Sequence, residues 1–168
     1  REKIDLLDIE LQNSIALRAH YAHEIGEIKR RTEGSATFYR PEREAQVLRR
    51  VMERNQGPLE ADEMVKIFRQ IMSSCLALEQ KLRVGFLGPE GTFTQVATLK
   101  HFGCSVDAVA LNSIDEVFRE VAAGAADYGV VPVENSSEGM VSHTLDTFME
   151  YALKICGEVE VRIHHHLL

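Results

Sequence analysis

The 168-residue chain divides into two fold classes, an all-α unit of three helices over residues 1–82 and an α/β unit over residues 83–168. Three observations predict this. The first 31 residues contain no proline and a single glycine, Gly26, and their apolar residues recur at helical spacing. Beyond residue 82, short apolar runs alternate with helical patterns, which implies a mostly parallel sheet covered by helices. The charge balance changes at the same place. Residues 1–82 hold 14 Lys/Arg and 14 Asp/Glu, whereas residues 83–168 hold 5 and 12, which accounts for the net −7.

In the first unit, Ile4, Leu7, Leu11, Ile15, Ala22, Ile25 and Ile28 mark one long helix. About 30 residues at 1.5 Å each make it roughly 45 Å long. That is more than a compact monomer of this size covers, so a dimer is expected, with a partner chain along this helix. TEGSAT breaks the pattern. Pro41 in YRPERE suits the first turn of a second helix that reaches Asn55. NQGPL breaks the pattern again. A third helix runs from Glu60 to Leu82, with Ile67, Phe68, Ile71, Met72, Cys75 and Leu78 on its buried side.

Some charges fall on the apolar stripe. Arg18 and Lys29 stand eleven residues apart, close to three turns, on a face shared with Leu11, Ala22 and Ile25. Buried cations need anionic partners. One such residue reads as an internal salt bridge or a snorkelling stem. Two on one stripe favour a bound anion. Glu79 follows Phe68, Met72 and Cys75 at helical spacing and brings a carboxyl to the same interior. Arg1 precedes Arg18 by seventeen residues, about 25 Å along the axis, so the only site it can serve is that of a second subunit.

REKID, Arg18, Lys29 and RPEREAQVL, taken in order, resemble the all-helical chorismate mutases that are fused to prephenate dehydratase. The resemblance covers residues 1–82. It implies an intertwined dimer with two shared sites, in which Arg18 and Lys29 bind the substrate carboxylates and ether oxygen and Arg1 reaches in from the partner. It also implies that Arg43 and Glu44 form the second helix's pocket pair, with Glu44 at the ring hydroxyl. Departures from the family pattern are Glu79 where a glutamine often faces the ether oxygen, Cys75 where some members have serine, and Arg40 where some have aspartate. Glutamate donates a hydrogen bond only when protonated, so mutase activity is expected to fall as pH rises.

The second unit opens with the strand RVGFLG and the turn GPEGTFT, with Thr92 or Thr94 as N-cap of the helix TFTQVATLKHF. VDAVAL is a second strand. SIDE is a capping box that opens another helix, and Gly124 stops it. DYGVVPVE is a third strand, NSSEGM a polar loop, VSHTLDTFMEYA a helix, and GEVEVRIHHHLL a final strand by its alternation. GPEGTFT lacks the Gly-Lys-Ser/Thr of a P-loop and is not GxGxxG. Alone it reads as a structural turn or a small-anion site at a helix start. PVENSSEGM also follows a strand, and loops at strand ends converge on ligands in open α/β sheets.

The two loops together resemble prephenate dehydratase, which carries a Gly-Pro-x-Gly-(Thr/Ser) loop and a Pro-(Val/Ile)-Glu-Asn loop. Residues 84–168 resemble its beginning. The resemblance implies part of a two-lobed fold similar to a periplasmic binding protein. Thr92, Thr94, Asn135, Ser136 and His165 would face a cleft that holds prephenate. His165 has the alternative of a core-packed histidine. The family's second lobe, its Thr-Arg-Phe motif and a phenylalanine-sensing domain lie outside these residues, so the chain is expected to be a fragment with mutase activity and without dehydratase activity.

Several function classes are disfavoured. Neither unit has the basic excess that nucleic acid requires. No apolar run reaches the roughly 20 residues of a membrane span. The first residue is Arg1, so the absence of a signal peptide carries little weight. Cys75, Cys104 and Cys156 are scattered, read as small core residues, and suit a reducing cytoplasm. No metal or cofactor is expected. The competing reading is a non-catalytic helical dimerisation arm joined to an α/β lobe that binds a small anion.

Overall fold

Without proline to interrupt it, the first segment forms one α-helix, α1 (Glu2–Glu33), in the computed structural model, which describes residues 1–33, 39–136 and 139–163. Glu2 and Asp5 in its first turn and Arg30 and Arg31 in its last complement the helix dipole. Helix α2 (Pro41–Arg54) starts on its proline, whose missing N–H costs nothing there. Its apolar side, Leu48 and Val51, is buried. Asn55 then turns the chain by donating from Nδ2 to the Leu59 carbonyl at 2.7 Å. Helix α3 (Ala61–Glu79) packs against both α1 and α2.

Two expectations change here. The third helix ends at Glu79 rather than Leu82, because Gln80 is already extended (φ −153°, ψ 125°). Leu82 is buried, and its carbonyl accepts from the Asp107 amide at 2.8 Å. The chain accordingly separates into two compact units, Arg1–Lys81 and Leu82–Leu168. The interior stripe of α1 is also displaced. Leu11, Ile25 and Ile28 are 59%, 52% and 60% exposed. The side that meets α3 instead carries small residues, including Ala19 and the buried Gly26.

The second unit is built around β1 (Arg83–Leu87), whose Val84 and Phe86 have no exposed surface. Helix α4 (Phe93–Phe102), strand β2 (Asp107–Leu111), helix α5 (Ile114–Ala122) and strand β3 (Tyr128–Val130) follow. The sheet order is β2-β1-β3, all parallel, with Gly85 opposite Val109 on one side and Gly129 on the other. Tyr128 contacts the Phe102 ring of α4 at 5.4 Å, whereas a Cβ on Gly129 would meet Val117 of α5 at 2.6 Å. Successive strand residues point to opposite faces, so α4 and α5 cover opposite sides of the sheet.

The caps explain the helix bounds. Thr92, not Thr94, caps α4, accepting from the Gln95 amide. Ser113 caps α5 and accepts from the Glu116 amide at 3.1 Å. The return bond of a capping box runs one residue further out, because Glu116 Oε2 accepts the Asn112 amide at 2.8 Å. That bond holds the Glu116 carboxyl below its usual range. Gly124, at φ +70°, ends the helix in the left-handed conformation.

The rest of the second unit departs further from expectation. The third strand stops at Val130. In place of a plain polar loop, β4 (Glu134–Asn135) and β5 (Gly139–Met140) form a short antiparallel hairpin, ahead of α6 (Ser142–Glu150). Helix α6 rests on α5 through Phe118 and Phe148, whose rings meet edge-on at 4.7 Å. The final strand is absent over residues 157–163. Val159 and Val161 are half-buried with exposed neighbours, so the period of two is real. It belongs to an extended segment without a strand partner among the described residues. That segment is tied to α4, where Lys100 Nζ donates to the Glu160 carbonyl at 2.6 Å. Of the cysteines only Cys75 is buried, and Cys104 and Cys156 are exposed.

Candidate functional sites

In the first unit, the α1–α3 contact brings Arg18, Lys29 and Glu79 together. All three are half-buried. Burial raises the Glu79 carboxyl above its ordinary range, and the positive charges of Lys29, Arg30, His23 and Arg18, in that order, oppose the rise. Glu79 Oε2 is fully enclosed and has no hydrogen-bond partner among the described residues. An enclosed carboxylate oxygen among four cationic or ionisable groups is well placed to face a polar atom of a ligand. Cys75, 3% exposed, lies one turn before Glu79 and lines a groove of about 310 Å³ with Ile15, Ala19, Ile71 and Leu78.

On α2, Glu44 is more enclosed than its position suggests, with 16% of its side chain exposed. Arg69 of α3 donates from Nε to Glu44 Oε1 at 3.3 Å. Burial raises the Glu44 carboxyl, and Arg69 and then Tyr39 oppose the rise. Arg1, Arg40 and Arg43 are exposed and take no part in the charge around Glu79. Arg40 occupies the N-cap of α2 without a side-chain capping bond.

In the second unit, the loops after β1 and β3 leave the same ends of two paired parallel strands. The chain passes from β1 to β2 on one side and then crosses to β3 on the other. This makes the β1–β3 boundary the switch point at which open α/β sheets hold ligands. The first loop passes close to β2 at Gly88, where a Cβ would lie 3.1 Å from both Ala110 Cβ and the Leu111 carbonyl and would push on them. Gly91 has φ +83°. The loop is not an open anion cradle, because the Gly91 amide donates to Gln95 Oε1 at 2.6 Å. Thr92 donates to the Leu87 carbonyl at 3.3 Å as well as capping α4, so its hydroxyl is committed to the turn. Thr94 is half-buried in the first turn of α4, and Asn135 and Ser136 are exposed on the second loop. His165 lies outside the described residues.

The family model described as prephenate dehydratase matches residues 84–168. The chain belongs to the prephenate dehydratase family. Ahead of this dehydratase-family unit, the model for chorismate mutase type II matches residues 1–80. A bifunctional chorismate mutase/prephenate dehydratase of Pseudomonas aeruginosa is 60% identical over 171 residues, covering 100% of this chain and 47% of that protein. Proteins of the same description are 49% identical in Neisseria gonorrhoeae and 42% identical in Aquifex aeolicus, again over 100% of this chain and 45% and 47% of theirs. The chain thus spans about half the length of these relatives.

Several residues of these sites escaped the sequence pattern. In the mutase-type unit they are His23 and Arg30 near Glu79, Gly26 beneath it, and the Tyr39–Arg69 pair on Glu44. The α1 periodicity carried a signal for Gly26, a lone glycine inside a long helix, which commonly marks close packing. In the dehydratase-family unit, Thr144 of α6 has no exposed surface and donates to the Pro132 carbonyl at 2.7 Å, fixing the root of the second loop. Among the described residues, no group of three or more His, Cys, Asp or Glu side chains is arranged to hold a metal ion. No described helix is long and apolar enough to cross a membrane.

Proposed function

We propose that the protein converts chorismate to prephenate in its first unit and carries in its second unit part of a site that converts prephenate to phenylpyruvate, carbon dioxide and water. The observation that carries the first half is the enclosed Glu79 carboxyl beside Lys29 and Arg18. The rearrangement is intramolecular and needs neither nucleophile nor cofactor. The protein holds the reactive conformer and stabilises negative charge as it develops on the ether oxygen. Arg18 and Lys29 bind the carboxylates and ether oxygen, and protonated Glu79 donates to that oxygen. Glu44 faces the ring hydroxyl with Arg43 and Arg40 nearby, and Cys75 lines the apolar wall.

The site is completed by a second copy of the chain. Ten large apolar residues of α1, from Ile4 to Ile28, are 36% or more exposed in the single chain. A two-fold dimer through α1 covers them and brings Arg1 of the partner to the Arg18–Lys29 site. In the second unit, Thr94, Asn135 and Ser136 face prephenate, Thr92 holds the turn beside them, and His165 completes the set. Three cysteines without a disulfide support work in the cytoplasm.

Loss of chorismate absorbance tests the reading. The chain turns over chorismate, and Lys29→Ala lowers turnover by about 10²–10³-fold with helical content unchanged. Equal turnover in the two proteins, or none in the unsubstituted chain, sinks it in favour of a non-catalytic dimerisation arm.

A further inference from the structure

We propose that Gly26 and Arg30 are positioning residues that hold the Glu79 carboxyl against α1 beside Lys29. The inference rests on the mutase reading above. Glu79 is the last residue of α3. Helix ends fray, so a carboxyl carried there needs a tether before it can meet a reacting oxygen reproducibly.

The structure supplies two. The first is a bed for the side chain. A Cβ on Gly26 would lie 2.8 Å from Glu79 Cγ, 3.2 Å from its Cβ and 3.1 Å from Oε2. The nearest of these atoms is the Cγ methylene rather than the carboxyl tip. Rotating the carboxyl cannot relieve the overlap, and the whole side chain or the end of α3 must move. Glycine in mid-helix is otherwise a destabilising choice, yet here it is the residue that lets Glu79 lie flat.

The second tether holds the backbone. Arg30 stands one turn beyond Gly26, on the same side of α1. Its Nη1 donates to the Glu79 carbonyl at 2.9 Å, a cation at the negative end of the α3 dipole. Its Nη2 pairs with the Glu27 carboxylate, which fixes the guanidinium plane. Among the described residues, the charged and titratable groups that act on Glu79 are Lys29, Arg30, His23 and Arg18, all from α1. Sliding the end of α3 therefore changes every one of these distances together. Arg30 acts through Glu79 and has no role of its own in the reaction.

Chorismate turnover by the 168-residue chain, in Gly26→Ala and Arg30→Met with and without Glu79→Ala, tests the proposal. Gly26→Ala is expected to lower kcat about tenfold or more, and Arg30→Met about three- to tenfold, with KM within about threefold. In the Glu79→Ala background neither changes residual turnover by more than about twofold, because the group they position is gone. The same fold-loss in both backgrounds, or no loss in the first, overturns the proposal. Should Gly26→Ala fail to fold, Arg30→Met decides alone, since Arg30 is exposed. If the unsubstituted chain is inactive, the mutase reading has failed. The positioning role is then read from the Glu79 carboxyl by NMR titration. Its midpoint moves in both variants if they position it and stays put if they do not.

Discussion

The central strand of the α/β unit and the first helix of the helical unit place their large apolar side chains oppositely. In the α/β unit, Val84 and Phe86 on the central strand and Val117 of α5 packed on it are at most 1% exposed, in a sheet covered on both faces. In the helical unit, the longest element leaves Leu6, Leu7, Ile9 and Leu11 all more than half exposed, while its buried side carries Ala19 and Gly26. One unit closes its own core. The other buries Leu48, Val51 and Cys75 but leaves most large apolar residues of α1 outside, with Arg18, Lys29 and Glu79 at the α1–α3 contact. If the proposed α1 dimer forms, this unit gains stability by association and shares its site with the partner chain.

The widest separation between the units comes from charging the α1 surface. Leu7→Glu with Leu11→Glu removes four leucines per dimer at about 1.5–3 kcal/mol each. The proposed α1 dimer should then loosen by at least about four powers of ten in dissociation constant, and the variant should run as a monomer in analytical ultracentrifugation. An unchanged mass breaks the comparison. Phe86→Ala is the opposite probe. It should destabilise the α/β unit by about 3–5 kcal/mol, independently of protein concentration, in denaturant unfolding read through amide exchange on β1. A concentration-dependent loss would mean that this core, too, is completed by a partner.

The third test concerns the carboxyl at the helical contact. Burial holds Glu79 above the carboxylate range, so its folded pKa exceeds its unfolded one. The stabilising contribution of the neutral form is fully present below the unfolded value and is lost as pH rises through the folded value. Turnover that needs the proton follows the same direction, dropping about tenfold per pH unit beyond that point. Glu79→Gln should abolish this limb of the kcat profile, and an identical fall in Glu79→Gln rules the carboxyl out as its source. The smallest effect belongs to the loop of the α/β unit. Thr92→Ala removes the α4 cap and should cost about 1 kcal/mol in thermal unfolding. No change would show that the turn is held by Gln95 and the glycines alone.

Period and caps carried most of the fold into the sequence. The proline-free run, Pro41, Ser113 and Gly124 each acted locally, and helices began or ended where they stand. The Arg18–Lys29–Glu79 cluster was legible because eleven residues of spacing and a third-helix period fix faces without any knowledge of packing. The buried side of α1 was not, because leucine and isoleucine lie around much of that helix and small residues decided which side α3 could approach. The β4–β5 hairpin was hidden in a polar stretch with no β-branched alternation beyond Val133. The final segment shows the reverse error. Alternation records which side chains are covered, and Val159 and Val161 are covered without a ladder. Arg69 carried no signal in the sequence, because its role depends on α2 laying Glu44 against it.

The central position of β1 also matters during synthesis. The strand made first lies between β2 and β3, and β3 begins about 40 residues after β1 ends. At a translation rate of about 5–20 residues per second, the edge of β1 that pairs with β3 waits roughly 2–8 s for its neighbour, after β2 has been made. The loop that follows β1 waits equally long for the loop that follows β3. For those seconds one strand edge of the nascent α/β unit is open, and a chaperone that binds the unit then would shield the stretch from Arg83 to Leu87.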